Sequence, residues 1–264
     1  MSPFRHEHPI YRLAAILVVA FLLAPIAVVT LASVTRTSYV AFPPRGLTVR
    51  WFWMALQEPN FYKGLVTSLK VSALAAIAAT GLGTLAALGL DRSGPQARSI
   101  LEPLFTLPLA VPTVAIGLAL LLALSLSGIG SSLWILALVQ GTLGLPYTIR
   151  FVSTAIEGIP RHLYWAAQDL GCPPRQVTTR VVLPIIRPSI MAGAAFGFVV
   201  AFDELTIALF LAGPSLVTLP VAMYTYIEYS FDPLVIAMAT LSIAISAVVI
   251  LVIQRTVGLE ALGR

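Results

Sequence analysis

Residues 165–184 read WAAQDLGCPPRQVTTRVVLP, a polar and basic segment set between runs too apolar to live in water. Ala166-Ala167 is followed four residues on by Gly171, and nine further residues lead to Val181-x-Leu183-Pro184. Leu163, Ala166, Ala167 and Leu170 recur at helical spacing, which predicts a helix over Arg161 to Leu170 with a small apolar face. Gly171 stops it, as glycine does just after a C-cap. Pro173 and Pro174 prevent continuation, and Pro174 is suited to the first turn of a second short helix. That second helix carries Arg175 and Arg180 and is expected to end near Leu183-Pro184. The product is a helix, a tight turn and a helix: a compact protrusion whose alanines let it enter a groove. The alternative is an ordinary amphipathic loop helix.

Outward from this segment the chain is a membrane protein. Of its 264 residues, 58% are hydrophobic and only 10% are charged. Soluble domains carry about 25% charged residues, so lipid must solvate much of this surface. Six runs approach the roughly 20 apolar residues a spanning helix needs: Tyr11 to Val34, Val71 to Leu90, Leu104 to Leu126, Leu133 to Val152, Ser189 to Ala212, and Pro233 to Gln254. The first is too long for a signal peptide's apolar core and lacks a convincing cleavage site, so it is expected to be retained. The fold expected is an all-α integral membrane protein of six helices, one transmembrane domain over residues 1–264.

Cations orient it. Arg5, Arg12, Arg92, Arg98, Arg150, Arg161, Arg175, Arg180, Arg187, Arg255 and Arg264 share one side, against Arg36, Arg45, Arg50, Lys63 and Lys70 on the other. This tally of 11 to 5 places both termini and the 157–188 loop in the cytoplasm by the positive-inside rule. The net charge of +5 does not indicate nucleic-acid binding, because the basic residues are dispersed among short loops. The single cysteine, Cys172, excludes an intrachain disulfide and falls in the reducing compartment.

Three local features stand out. Pro108 and Pro112 should kink the third span. Gly193 and Gly197 give the fifth span a small face for close helix approach. Pro220 to Tyr229, with Tyr224, Tyr226 and Tyr229, reads as a short helix at the outer interface, a depth tyrosines favour.

The spacing of Ala166, Ala167, Gly171, Val181, Leu183 and Pro184 resembles the EAA loop of the permeases of binding-protein-dependent ABC importers. Trp165 stands where that pattern has a glutamate. Leu107-Pro108-Leu109-Ala110-Val111-Pro112 with Ile116-Gly117, Ala201-Phe202-Asp203-Glu204-Leu205, and Gly213-Pro214-Ser215 with Thr218-Leu219-Pro220 and Tyr224 resemble stretches of polyamine-type permeases. The match is nearest to the second, C-type permease of spermidine/putrescine importers and covers about residues 60–255, with a core permease region of about 65–255.

The resemblance implies a type I importer permease fold in the bacterial inner membrane. It implies that Trp165, Ala166, Ala167, Asp169, Leu170, Gly171, Arg175, Val181, Leu183 and Pro184 couple to an ATP-binding subunit present in two copies. A second homologous permease, more naturally a different chain, and an extracytoplasmic solute-binding protein complete the assembly. ATP and magnesium would sit on the partner, and no cofactor on this chain. No Gly-x-x-x-x-Gly-Lys-Ser/Thr phosphate loop occurs here. The expected cargo is a polyamine or similar small organic cation. Importers for thiamine, aminophosphonate, iron or amino-acid-like solutes share parts of the pattern.

Asp203 and Glu204 are carboxylates inside the fifth span, where ionisable groups are costly and face a cavity or a partner. On a continuous helix they lie about 100° apart. Glu204 continues the Gly193, Gly197 and Ala201 face and is expected to tie helices or subunits together. Asp203 is expected to line the path and offer charge to a cation, with Phe202 and Tyr224 available for cation–π contact. Both carboxylates could instead be structural. Glu228 and Asp232, in the outer loop, could draw cations to the mouth.

Other chemistry finds little support. The His6-x-His8 pair belongs to a tail, His162 stands alone, and no Cys/His cluster has zinc spacing. An intramembrane enzyme would need Asp203 and Glu204 to converge on one atom, which neighbouring helix positions do not. A secondary transporter would be expected to show an internal repeat, and none is found.

Overall fold

Apolar runs of this length, deprived of water, satisfy their backbone by forming helices. The computed structural model describes residues 9–213 and 216–257. His6, His8, Arg5, Pro214, Ser215 and Arg264 lie outside the described residues. Among those described, all long elements are helical: α1 (Pro9–Ala32), α2 (Arg50–Gln57), α3 (Pro59–Arg92), α4 (Pro95–Ala110), α5 (Thr113–Ser127), α6 (Leu133–Glu157), α7 (Arg161–Asp169), α8 (Pro174–Val177), α9 (Leu183–Phe202), α10 (Thr206–Leu211), α11 (Leu219–Tyr229) and α12 (Pro233–Val257).

Five single spans are long and apolar enough to cross a bilayer: α1, α3, α6, the run from α8 through α9, and α12. The pair α4 and α5, bent by 88°, is apolar and long enough for a sixth if counted as one span. The expected kink is thus a break. Pro112 cannot donate to Pro108, and it forces Val111 into an extended conformation (φ −89°, ψ 128°) that ends α4. Pro108 sits inside α4 without ending it. The fifth span also differs from expectation: α9 stops at Phe202, and α10 begins at Thr206.

The described chain forms two compact units, Met1–Phe61 with Met223–Ala244, and Tyr62–Ala222 with Ile245–Arg264. In the first, the segment after α1 is stitched to the helix end. The Trp51 indole N–H donates to the Thr35 carbonyl at 2.8 Å, and the Thr48 N–H donates to the Val34 carbonyl at 2.9 Å. In the same unit the Phe61 and Tyr226 rings lie 5.3 Å apart.

In the second unit, α3, α6 and α9 meet through small residues, since lipid gives no hydrophobic drive and close packing must hold the helices. A Cβ built on Gly144 would lie 3.0 Å from the Gly197 Cα, and one on Gly193 would lie 2.9 Å from Thr148 Oγ1. The small face of the fifth span therefore meets α6. We expect Gly193→Val to lower the thermal stability of the purified protein by about 1–3 kcal/mol through overpacking. An unchanged unfolding midpoint would contradict this contact.

One inner apolar cluster joins Ala87 and Leu90 of α3, Ile149, Val152 and Ile156 of α6, and Val182 and Ile186. Another gathers Val71, Leu136, Ala137 and Leu143 around Ile207, Ala208 and Leu211 of α10.

Candidate functional site

The segment 157–188 folds as a helical elbow, with one departure from the sequence reading. α7 ends in a Schellman motif: the Cys172 N–H donates to the Ala167 carbonyl at 3.0 Å and the Gly171 N–H to the Gln168 carbonyl at 2.8 Å. Gly171 takes φ +79°, a conformation side chains resist. After the turn, the second helix does not end at Leu183-Pro184. It continues through a π turn, Thr178–Val182, into α9. Pro184 supplies no N–H to the Arg180 carbonyl; the wider turn, closed by the Leu183 N–H on the Thr178 carbonyl, carries the helix across that gap. The elbow is therefore continuous with a spanning helix.

The two faces of α7 are now distinct. Leu163 and Tyr164 pack on the inner cluster, and Ala167 is buried. Trp165 is 61% exposed and Leu170 84% exposed; Ala166 and Asp169 are exposed as well. His162, also exposed, joins this outward face at helical spacing from Trp165, Ala166 and Asp169. The sequence reading placed His162 nowhere, although the i, i+3, i+4, i+7 pattern was available. Its apolar stripe of Leu163, Ala166, Ala167 and Leu170 is corrected, because the first and third turn inward. Arg175 is exposed, Val181 and Leu183 are half-buried, and Pro184 is exposed. The Arg92 guanidinium, at the end of α3, donates to Thr178 Oγ1 and so ties that helix to the elbow.

At the break in the fifth span the two carboxylates part company. Glu204 is 9% exposed and turns inward. It accepts the Ile207 N–H at 3.0 Å, the Ala208 N–H at 3.1 Å and the Gln140 amide N–H at 3.4 Å. Its carboxyl oxygens thus satisfy backbone donors at the start of α10 that would otherwise be orphaned. Gln140, fully buried on α6, was missed in the sequence because one amide in an apolar run gives no pattern. Asp203 is exposed, and its carboxylate has no hydrogen-bond or ion-pair partner among the described residues. The two are separated by the break itself rather than by their positions around a continuous helix.

The aromatic candidates differ. Phe202 is buried at 1% exposure and stacks on Phe198 at 5.7 Å, so its ring is core and not available to a cation. Tyr224, in the other unit, is 41% exposed on α11. Asp232 is committed: it accepts the Tyr226 hydroxyl at 2.8 Å and the Leu234 N–H at 2.9 Å, capping α12. Burial, reinforced by that carboxylate, pushes the Tyr226 phenol up to about 12, so the hydroxyl keeps its donating proton.

The sequence profile described as the binding-protein-dependent transport system inner membrane component matches residues 79–258. The Escherichia coli (strain K12) spermidine/putrescine transport system permease protein PotC is 25% identical over 235 residues, 89% of either chain. The putrescine transport system permease protein PotI of that strain is 32% identical over 84% of this chain and 81% of its own. The putative 2-aminoethylphosphonate transport system permease protein PhnV of Salmonella typhimurium is 29% identical over 80% of each. Among solved structures, a bacterial ABC transporter involved in alginate import has a chain of similar fold, with a TM-score of 0.68 at 15% identity over 96% of this chain and 99% of that one. The MetNI methionine ABC transporter has another, with a TM-score of 0.64 at 16% identity over 80% and 98%.

Proposed function

The chain belongs to the family of binding-protein-dependent transport system inner membrane components, the permeases of ABC importers, and we propose that its cargo is a polyamine or a similar small organic cation. The observation that supports this cargo most directly is Asp203, an exposed and unpartnered carboxylate at a helix break within a spanning segment. A charge so placed is costly against lipid and fits a path that admits a cation. The polyamine relatives agree with this reading.

The outward face of α7 is the docking surface for a separate ATP-binding subunit, which holds ATP and magnesium and hydrolyses the nucleotide. Two such subunits serve this permease and a second, homologous one. An extracytoplasmic binding protein delivers the solute. Seated on the inner cluster and continuous with α9, the elbow passes rotation of the ATPases to the spanning helices.

Uptake of labelled spermidine, putrescine and 2-aminoethylphosphonate by the assembled importer tests the cargo. Asp203→Asn should slow polyamine uptake about tenfold, equivalent to about 1.4 kcal/mol, with the assembly intact, and Asp203→Glu should restore much of it. Unaltered uptake by the asparagine variant would refute the role of this carboxylate. Preference for the aminophosphonate would overturn the polyamine assignment.

A further inference from the structure

We propose that the folded segment between α1 and α3 is a docking surface for anionic phospholipid headgroups. It carries Arg36, Arg45 and Arg50, all exposed. Among the described residues none of the three pairs with a carboxylate. The segment holds these three cations and no acidic residue before Glu58.

Their surroundings are apolar. Trp53 is 66% exposed on α2, with Met54 and Leu56 exposed beside it, while Trp51 and Ala55 turn into the protein. The Arg50 guanidinium lies 4.4 Å from the Trp51 ring centroid, over its face. A helix that buries one side and shows tryptophan, methionine and leucine next to arginine on the other is suited to the headgroup boundary, not to bulk water.

Chain geometry places the surface at that boundary. Trp51 is bonded to Thr35, three residues past the end of α1. Thr35 therefore lies within about 10 Å of that span's end, and the start of α2 is held against it through the Trp51 side chain. A soluble partner would have to reach these side chains at the bilayer surface, whereas phosphates are present there already. Arginine suits them, with a planar fork that binds phosphate in a bidentate manner.

The test uses the full chain in phosphatidylcholine vesicles containing phosphatidylglycerol, with one lipid or the other brominated. Quenching of Trp53 is read as the difference between wild type and Trp53→Phe. Brominated phosphatidylglycerol should quench this emission in preference to brominated phosphatidylcholine, by about fivefold for each arginine engaged. The preference should vanish when Arg36, Arg45 and Arg50 are all changed to alanine and persist when all are changed to lysine, with helical content checked by circular dichroism. Trp53 left unquenched by both lipids would overturn the proposal, as would equal quenching that the alanine variant does not alter. Shielding that appears only when the soluble binding protein is added would assign the face to a protein instead.

Discussion

Trp165→Ala should reduce ATP-driven uptake about thirtyfold. The side chain is mostly exposed on α7 and, with Leu170, supplies the apolar part of the outward face. Removing a large aromatic at the centre of an interface typically costs about 2 kcal/mol or more, which is that factor in affinity. Because the ring lies outside the inner cluster, the spanning helices should melt as before. The expected signature is a stable membrane subunit that no longer co-purifies a stoichiometric ATPase. Full recovery of the ATPase with normal uptake would remove α7 from the coupling role. Tryptophan is also informative about the partner: its socket should be apolar, so Trp165→Glu should fail as badly as alanine.

Glu204→Ala should destabilise the protein by about 3 kcal/mol. Three donors lose their acceptor together: the Ile207 and Ala208 N–H groups and the Gln140 amide. Each buried group left unsatisfied costs about 1–3 kcal/mol, and relaxation of the break recovers some of the sum. Glu204→Gln keeps an acceptor oxygen of the same shape and should cost less than half as much. Gln140→Leu, which deletes a single donor to the carboxylate, should fall between wild type and Glu204→Ala. Thermal unfolding in detergent orders the three variants, and an alanine variant as stable as wild type would show that the carboxylate does not hold the break.

The contrast between these two sites shows how far the sequence could be read. α7 and its Schellman turn were legible because apolar spacing, a glycine and two prolines all point to one local structure. The spans were legible from length and composition. The break after Phe202 was not, since residues 203–205 contain no proline or glycine. What ends α9 there is a carboxylate competing for the next helix's donors, an interaction visible only once the chain has turned. The 88° bend was half legible: two prolines announced a distortion, but a kinked helix and two helices share one sequence signal. The π turn was hidden for a similar reason, because Leu-Pro after a short helix looks like an end.

α3 runs for 34 residues without an internal proline. At 1.5 Å per residue it is about 51 Å long, against about 30 Å of hydrocarbon. Near its start, Ser68 Oγ accepts the Leu219 N–H at 2.8 Å; at its far end Arg92 grips Thr178. A rod held at Ser68 and at Arg92, with no proline joint between them, links the elbow to the loop before α11. On the coupling role proposed for the elbow, a tug there should reach that loop along this helix.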